Sequence, residues 1–98
     1  MITIRRIYTP KPGGGQLTKL LRTLQSATTD AGFPSISISR KVIGPHGIIV
    51  TDQKWPSLGT YDDSRERVRS TKTITDLFNQ IYPLLASTHV TEIYEDLE

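Results

Sequence analysis

The sequence predicts an α+β domain of the split βαβ type, with helices on one face of a four-stranded antiparallel sheet. The first observation is the order of patterns along the 98 residues, which runs strand, helix, strand, strand, helix, strand. The second is that the predicted strands carry apolar residues on both alternating faces. Because helices cover one face of such a sheet, we expect the other face to pack against a second copy of the chain.

Length and composition exclude several classes of protein. A chain of 98 residues fits one domain over residues 1–98, and 36% hydrophobic with 22% charged residues indicates a folded chain. The sequence contains no cysteine, which excludes disulfides and thiolate metal sites. It shows neither a membrane-spanning apolar run nor the apolar core of a signal peptide, so we expect a cytoplasmic protein without membrane contact.

The charge pattern argues against nucleic-acid binding. The net charge is only +2, and the basic residues are spread along the chain in small groups. A nucleic-acid binder needs a basic face interleaved with aromatic residues, and no such face is found.

The first half of the chain predicts a strand, a helix and a second strand. Residues 2–9 are rich in β-branched residues and predict the first strand, which the prolines and glycines of residues 10–15 end. Leucines and alanines over residues 17–31 recur at three- and four-residue spacing and predict an amphipathic helix, with Gly32 just after its C-terminal cap. Alternating apolar and serine residues over 35–43 predict the second strand.

A hairpin turn and the third strand come next. Residues 44–47, with two glycines and a proline, predict the turn, and residues 48–55 predict the strand that pairs with the second one. The polar segment 57–70 predicts a short helix at one edge of the sheet.

The last part of the chain predicts a second main helix and a fourth strand. Thr73 and Asp76 have the spacing of a capping box and predict the start of the helix. Pro83 removes one backbone hydrogen bond and is expected to kink or tighten its last turn. Residues 90–97 predict the fourth strand.

These elements fit the ferredoxin-like layout, in which the fourth strand lies antiparallel beside the first. Arg5 and Arg6 would then face the acidic residues of 92–96, which favours this pairing. Alternation along the strands divides the large apolar residues between the two faces. To the helix-covered face we assign Ile2, Ile4, Ile36, Ile38 and Val42, and to the opposite face Ile7, Ile43, Ile49, Trp55, Ile93 and Leu97.

The apolar residues of the opposite face predict a homodimer. An apolar patch of that size on an open sheet usually marks an interface. Two sheets stacked about 10 Å apart would cover it.

Residues 47–61, GIIVTDQKWPSLGTY, resemble the signature of dimeric α/β-barrel proteins. In that superfamily a hairpin strand ends in a polar-aromatic stretch, and a W-x-S-L step leads into a helix. The segment is similar to the antibiotic-biosynthesis-monooxygenase and NIPSNAP-like branches. The resemblance implies a ferredoxin-like protomer whose dimer closes an α/β barrel, with a pocket for small organic molecules between sheet and helices.

The resemblance implies a fold more clearly than a chemistry. Members include cofactor-free monooxygenases, haem-degrading enzymes, lactone isomerases and proteins with no assigned activity. Haem-degrading members use an Asn on the first strand, whereas the one Asn here is Asn79, on the second main helix. We therefore expect no cofactor.

Four charged residues are predicted to point toward the helix-covered face. Alternation places Arg6, Arg40, Asp52 and Glu92 there, where an isolated charge would be costly. They either form an internal ion-pair group at the open end of the sheet, turn outward at a bulge, or hold a ligand.

The ligand alternative is an anion clamp. A guanidinium presents a planar fork that suits a carboxylate, so Arg6 and Arg40 would receive the acidic head of a small amphipathic or aromatic acid. Phe78 and Tyr82 would hold its apolar body. Further aromatic side chains that either line this pocket or only pack beside it are Tyr8, Trp55 and Tyr61.

Other patterns with chemical potential have simpler explanations. His46 lies in a turn that favours a solvated role, and His89 is placed to cap a helix end. Their spacing predicts no metal site. The glycines of residues 13–15 lack the spacing of a phosphate-binding loop and indicate a flexible turn.

Three functions therefore stay open from the sequence. The first is a small-molecule binding protein with the ligand between sheet and helices. The second is a cofactor-independent monooxygenase or isomerase that uses the same pocket. The third is a structural dimer that binds no ligand.

Overall fold

A four-stranded antiparallel sheet is the centre of the fold, as seen in a computed structural model that describes residues 1–97. Glu98, the last residue of the predicted domain, lies outside the described range. The strands are β1 (Ile2–Tyr8), β2 (Ile36–Arg40), β3 (Ile49–Trp55) and β4 (Val90–Glu95), in the order β2-β3-β1-β4. β4 lies antiparallel beside β1, with Arg5 opposite Glu92. The predicted ferredoxin-like α+β fold is confirmed.

Three helices accompany the sheet. They are α1 (Leu17–Asp30), α2 (Leu58–Ser70) and α3 (Lys72–Ile81), and a 3₁₀ turn over Tyr82–Leu84 follows α3. Pro83 lies in that tight turn, which confirms its predicted effect. No helix within residues 1–97 combines the length and the apolar character that a membrane crossing requires.

The ends of α1 and α2 follow from local sequence. Gly32 follows α1 with a φ of +84°, a conformation that glycine adopts without strain, as predicted for its position after the helix. α2 begins after Ser57, whose Oγ accepts a hydrogen bond from the backbone N–H of Thr60 at 3.1 Å.

The predicted start of α3 at Thr73 is wrong. α2 extends through Ser70, so Thr71 is both the C-cap of α2 and the N-cap of α3. Thr73 is already inside α3. Thr71 is held at this joint because its Oγ1 donates to the carbonyl of Arg67 at 2.8 Å, while its own carbonyl accepts from the N–H of Ile74 at 3.1 Å.

The second strand is shorter than predicted. β2 ends at Arg40, and the N–H of Lys41 donates to the carbonyl of Ile48 at 3.0 Å to close the hairpin connection. Gly44 and Gly47 both have positive φ, which turns the chain. The predicted strand residues Val42 and Ile43 therefore lie in an exposed loop.

The predicted division of the sheet faces is partly wrong. Residues directly opposite each other in an antiparallel pair point to the same face. Trp55 lies opposite Ile2, and Ile49 lies opposite Tyr8, so both belong to the helix-covered face and its buried core. The error arises from counting alternation without the register, which the shape of the hairpin loop decides.

Two more residues assigned to the open face lie elsewhere. Ile93 is opposite Ile4, on the helix-covered side of β4. Leu97 lies beyond the end of β4 and is exposed. Of the six residues assigned to the open face, Ile7 is placed there by the register.

The same register corrects the predicted sheet face of two of the four charged residues. Asp52 lies opposite Arg5 on the open face, where the two side chains form a bidentate ion pair at 2.9 and 3.1 Å. Glu92 is the other neighbour of Arg5 across the strands. Arg6 and Arg40 do point to the helix-covered face, since they pair with the buried residues Thr51 and Ile49.

Candidate functional site

A cleft of about 280 Å³ lies between the sheet and the helices α2 and α3. β1, β4, both helices, the 3₁₀ turn and the segment before β4 all contribute to it. The lining residues are Arg6, Tyr61, Arg65, Val68, Arg69, Ile74, Thr75, Phe78, Asn79, Tyr82, His89 and Thr91.

A small inner cavity of about 40 Å³ lies behind the cleft. Tyr8, Thr51 and Gln53 supply part of its lining from the sheet. The two spaces share walls, because five side chains line both of them. These are Arg6, Arg65, Val68, Ile74 and Phe78.

Two guanidinium groups meet at one tyrosine in the cleft. Nη2 of Arg6 donates a hydrogen bond to the hydroxyl of Tyr61 at 3.0 Å. The guanidinium carbon of Arg65 lies 4.9 Å from the centre of the Tyr61 ring, a cation–π contact. Tyr61 thus fixes both cations, one through its hydroxyl and one through its ring face.

The cleft has cations but no acid. Among the described residues that line it, three are arginines and none is Asp or Glu. The ion pairs found in residues 1–97 are Arg5–Asp52, Lys54–Asp96 and Lys72–Asp76, and all of them lie outside the cleft. Its positive charge is therefore not balanced by a neighbouring carboxylate.

The electrostatics of Arg65 reflect this imbalance. Burial lowers the pKa of Arg65, and the positive charges of Arg6 and Arg69 lower it further, against an opposing effect of Tyr61. The guanidinium stays protonated at physiological pH because its ordinary pKa is above 12. A bound anion would relieve the repulsion between these side chains.

Stacked rings form the aromatic wall of the cleft. The rings of Tyr82 and His89 are 5.8 Å apart and nearly parallel, with an interplanar angle of 10°. Phe78 stacks on Tyr82 at 5.6 Å, and Tyr8 contacts His89 at 5.3 Å. This wall gives an aromatic ligand a surface for stacking.

The surroundings of His89 favour its neutral form. Its Nδ1 is buried and has no hydrogen-bond partner among the described residues. Protonation would place an N–H at this position without an acceptor, which is costly. Burial, followed by the charge of Arg6, lowers the pKa of His89.

The structure brings together five of the seven residues that the sequence predicts for the site. Arg6, Tyr61, Phe78 and Tyr82 line the cleft, and Tyr8 lines the inner cavity. The remaining two, Arg40 and Trp55, line neither space.

Arg40 and Trp55 have other positions. Arg40 is exposed at the end of β2, and β3 separates that strand from β1. Trp55 is buried, with its Nε1 donating to Oε1 of Gln53 at 2.9 Å. Its ring contacts Tyr61 edge to face at 5.8 Å, so it supports a wall of the cleft from behind.

The sequence interpretation missed Arg65, Arg69 and His89 as cleft residues. A signal for the arginines exists, because Tyr61, Arg65 and Arg69 recur at four-residue spacing and therefore share one face of α2. His89 carries no such signal, since its position depends on the loop that joins the 3₁₀ turn to β4.

The comparisons with known proteins identify the fold. No family model and no curated protein matches this sequence. Solved structures do match over almost the whole chain. An antibiotic biosynthesis monooxygenase is 17% identical, with a TM-score of 0.78 and 100% of both chains covered.

Two NIPSNAP proteins are similar to the same degree. An uncharacterised NIPSNAP domain protein from Burkholderia xenovorans is 14% identical, with a TM-score of 0.78 over 99% of this chain and 95% of that one. A NIPSNAP family protein from Agrobacterium tumefaciens is 17% identical, with a TM-score of 0.74 over 99% and 93%. The chain therefore has the ferredoxin-like fold that solved antibiotic biosynthesis monooxygenase and NIPSNAP proteins share.

Proposed function

We propose that this protein binds a small aromatic or amphipathic organic acid in the cleft between sheet and helices. The observation that carries the proposal is the pair of guanidiniums at Tyr61, placed beside stacked rings in a cleft whose described lining contains no acid. The acidic head would lie at Arg6 and Arg65. Its apolar body would pack on Phe78 and Tyr82.

The chemistry of the two arginines suits a carboxylate. A guanidinium offers parallel N–H donors that match the two carboxylate oxygens. Both side chains are partly buried, where a charge interaction is less weakened by solvent than at a fully exposed site. Arg65 takes the place that the sequence suggests for Arg40.

The size of the cleft limits the ligand. Pockets for small molecules usually measure about 300–1,000 Å³. At about 280 Å³ the cleft lies just below that range, which suits a ligand with one ring.

The proposal includes a homodimer formed through the open face of the sheet. Val50, Ile7 and Val90 lie side by side across β3, β1 and β4 on that face. Val90 is exposed, and the other two are partly exposed. A second copy would cover this apolar row.

Replacement of either clamp arginine tests the proposal. We expect benzoate to bind the wild-type protein in calorimetric titration, and both Arg6→Gln and Arg65→Gln to weaken binding by about tenfold or more. Each variant loses a hydrogen bond to a charged group, which contributes about 1.5–3 kcal/mol.

Arg40→Gln is the matched control, because it removes an arginine from the helix-covered side outside the cleft. We expect its affinity to equal that of the wild type. Absence of benzoate binding to the wild type, or an equal loss in the Arg40 variant, would contradict the proposed site.

A further inference from the structure

We propose that the cleft is specific for an aromatic dicarboxylate, a ligand with two carboxylate groups at opposite sides of one ring. This inference rests on the proposed function and narrows its ligand class. A monoacid such as benzoate would neutralise only part of the positive charge in the cleft.

The first argument is the count of charges. Arg6, Arg65 and Arg69 all line the cleft, and none of them forms an ion pair with a carboxylate within residues 1–97. One monoanion would compensate a single positive charge and leave the other two close together. A dianion leaves less uncompensated charge and removes more of the repulsion from Arg6 and Arg69, which adds to the effect of burial in lowering the pKa of Arg65.

The second argument is the spacing of the cations along α2. Arg6 and Arg65 both contact Tyr61, which defines one anion position. Arg69 lies four residues after Arg65 on the same face of the helix, about 6 Å further along its axis. That separation suits two acidic groups at opposite sides of a single ring.

The opposite wall fits the same ligand. Thr75 and Asn79 line the cleft from α3, again four residues apart on one helix face. Both are uncharged, and the side-chain amide of Asn79 can donate hydrogen bonds to an anion without repelling it. The hydroxyl of Thr75 already donates to the carbonyls of Arg69 and Thr71. The acids of α2, which are Asp62, Asp63 and Glu66, are exposed and do not line the cleft.

Calorimetric titration with matched ligands tests the charge preference. The set consists of benzyl alcohol, benzoate, terephthalate and phenyl phosphate at pH 8 and constant ionic strength, where the phosphate is fully dianionic. We expect terephthalate to bind at least tenfold more tightly than benzoate, and benzyl alcohol to bind most weakly. Phenyl phosphate carries both charges on one group, so we expect it to bind more weakly than terephthalate. Equal binding of these two dianions would contradict two separate anion positions.

Variants at Arg69 locate the second anion position. Arg69→Gln should reduce the preference for terephthalate over benzoate to within about twofold, whereas Arg69→Lys should retain most of it. Arg22→Gln is the control, because Arg22 is exposed on α1 and outside the cleft.

The outcomes separate the two proposals. Equal affinity of the wild type for benzoate and terephthalate would overturn the dicarboxylate preference and leave the proposed function intact. Absence of binding by every charged ligand would overturn both. A preference for terephthalate that Arg69→Gln does not change would overturn the assignment of the second position.

Discussion

His89 combines a fixed ring with an unsatisfied nitrogen. Three aromatic rings surround it, contributed by Tyr8, Phe78 and Tyr82, and its Nδ1 has no partner among the described residues. Arg6 and Thr91 line the cleft from β1 and β4, and Arg65 and Arg69 line it from α2. Every charged group that lines the cleft is thus positive, and a proton on His89 would add to that charge.

We predict that His89 titrates below the ordinary histidine pKa of about 6.5. Burial and the charge of Arg6 both lower its pKa, so the unfolded chain takes up this proton at a higher pH than the folded protein. The contribution of His89 to stability is therefore complete above about pH 6.5 and is lost as the pH falls from there toward the folded pKa. A proton NMR titration of the two histidine ring signals measures the shift.

His46 gives the other histidine ring signal. It lies in the exposed hairpin loop, and His89→Gln identifies which signal belongs to which ring. A His89 pKa at or above the ordinary value of about 6.5 would contradict the structure of the cleft.

At the residue scale, the sequence predicted side-chain chemistry better than position. Arg6, Phe78 and Tyr82 were predicted as neighbours because alternation and helical periodicity place them on surfaces that face each other. Arg40 points to the same side of the sheet, but strand order places it two strands from β1, about 10 Å away. Strand order is not encoded in the alternation of a single strand.

At the scale of elements, α2 determines the cleft because it supplies both Tyr61 and two of the three arginines. Few of its residues are buried, so its start depends strongly on the Ser57 cap. The W-P-S-L step of the sequence resemblance contains this cap as its serine.

Ser57→Ala should reduce the free energy of unfolding by about 1 kcal/mol, because the N–H of Thr60 loses its acceptor. Urea denaturation measures the change. The control is Thr73→Ala, which alters the residue that the sequence suggested as a cap but that lies inside α3. We expect that variant to stay within about 0.5 kcal/mol of the wild type. A larger loss at Thr73 than at Ser57 would contradict the observed helix boundaries.

The existence and order of the elements were predictable, whereas some boundaries were not. Periodicity identified α1 and β1, and Gly32 marked where α1 ends. The polar segment 57–70 predicts a short helix. It forms a helix of 13 residues, since capping at Ser57 and packing against α3 and β3 compensate for the small apolar face.

At the scale of the whole molecule, the open sheet face is more polar than the sequence suggested. Two rows of charged and polar residues cross it, one through Asp52, Arg5 and Glu92 and one through Lys54 and Tyr94. The Arg5 guanidinium also lies 5.2 Å from the centre of the Tyr94 ring. An interface on this face would contain both the apolar row and a network of ion pairs.

We predict a homodimer that depends on the apolar row. Native mass spectrometry at micromolar concentration should give twice the mass of the chain for the wild type. Ile7→Lys should give the single-chain mass, because it places two like charges in the centre of the interface.

Ser26→Lys is the control for the dimer, since Ser26 is exposed on α1, on the side of the sheet away from the proposed interface. Its mass should remain that of a dimer. A single-chain mass for the wild type would refute the proposed assembly while leaving the ligand proposal unaffected, because all cleft residues come from one chain.

The one-residue joint at Thr71 has a consequence for molecular recognition. Two walls of the cleft belong to the consecutive helices α2 and α3, which Thr71 alone joins. Hydrogen bonds from the side chains of Thr71 and Thr75 stabilise this joint. A ligand would then bind a preorganised cleft, and the protein would lose little conformational entropy on binding. Selectivity in such a rigid cleft would come from the shape and chemical groups of the ligand, rather than from induced fit of the protein.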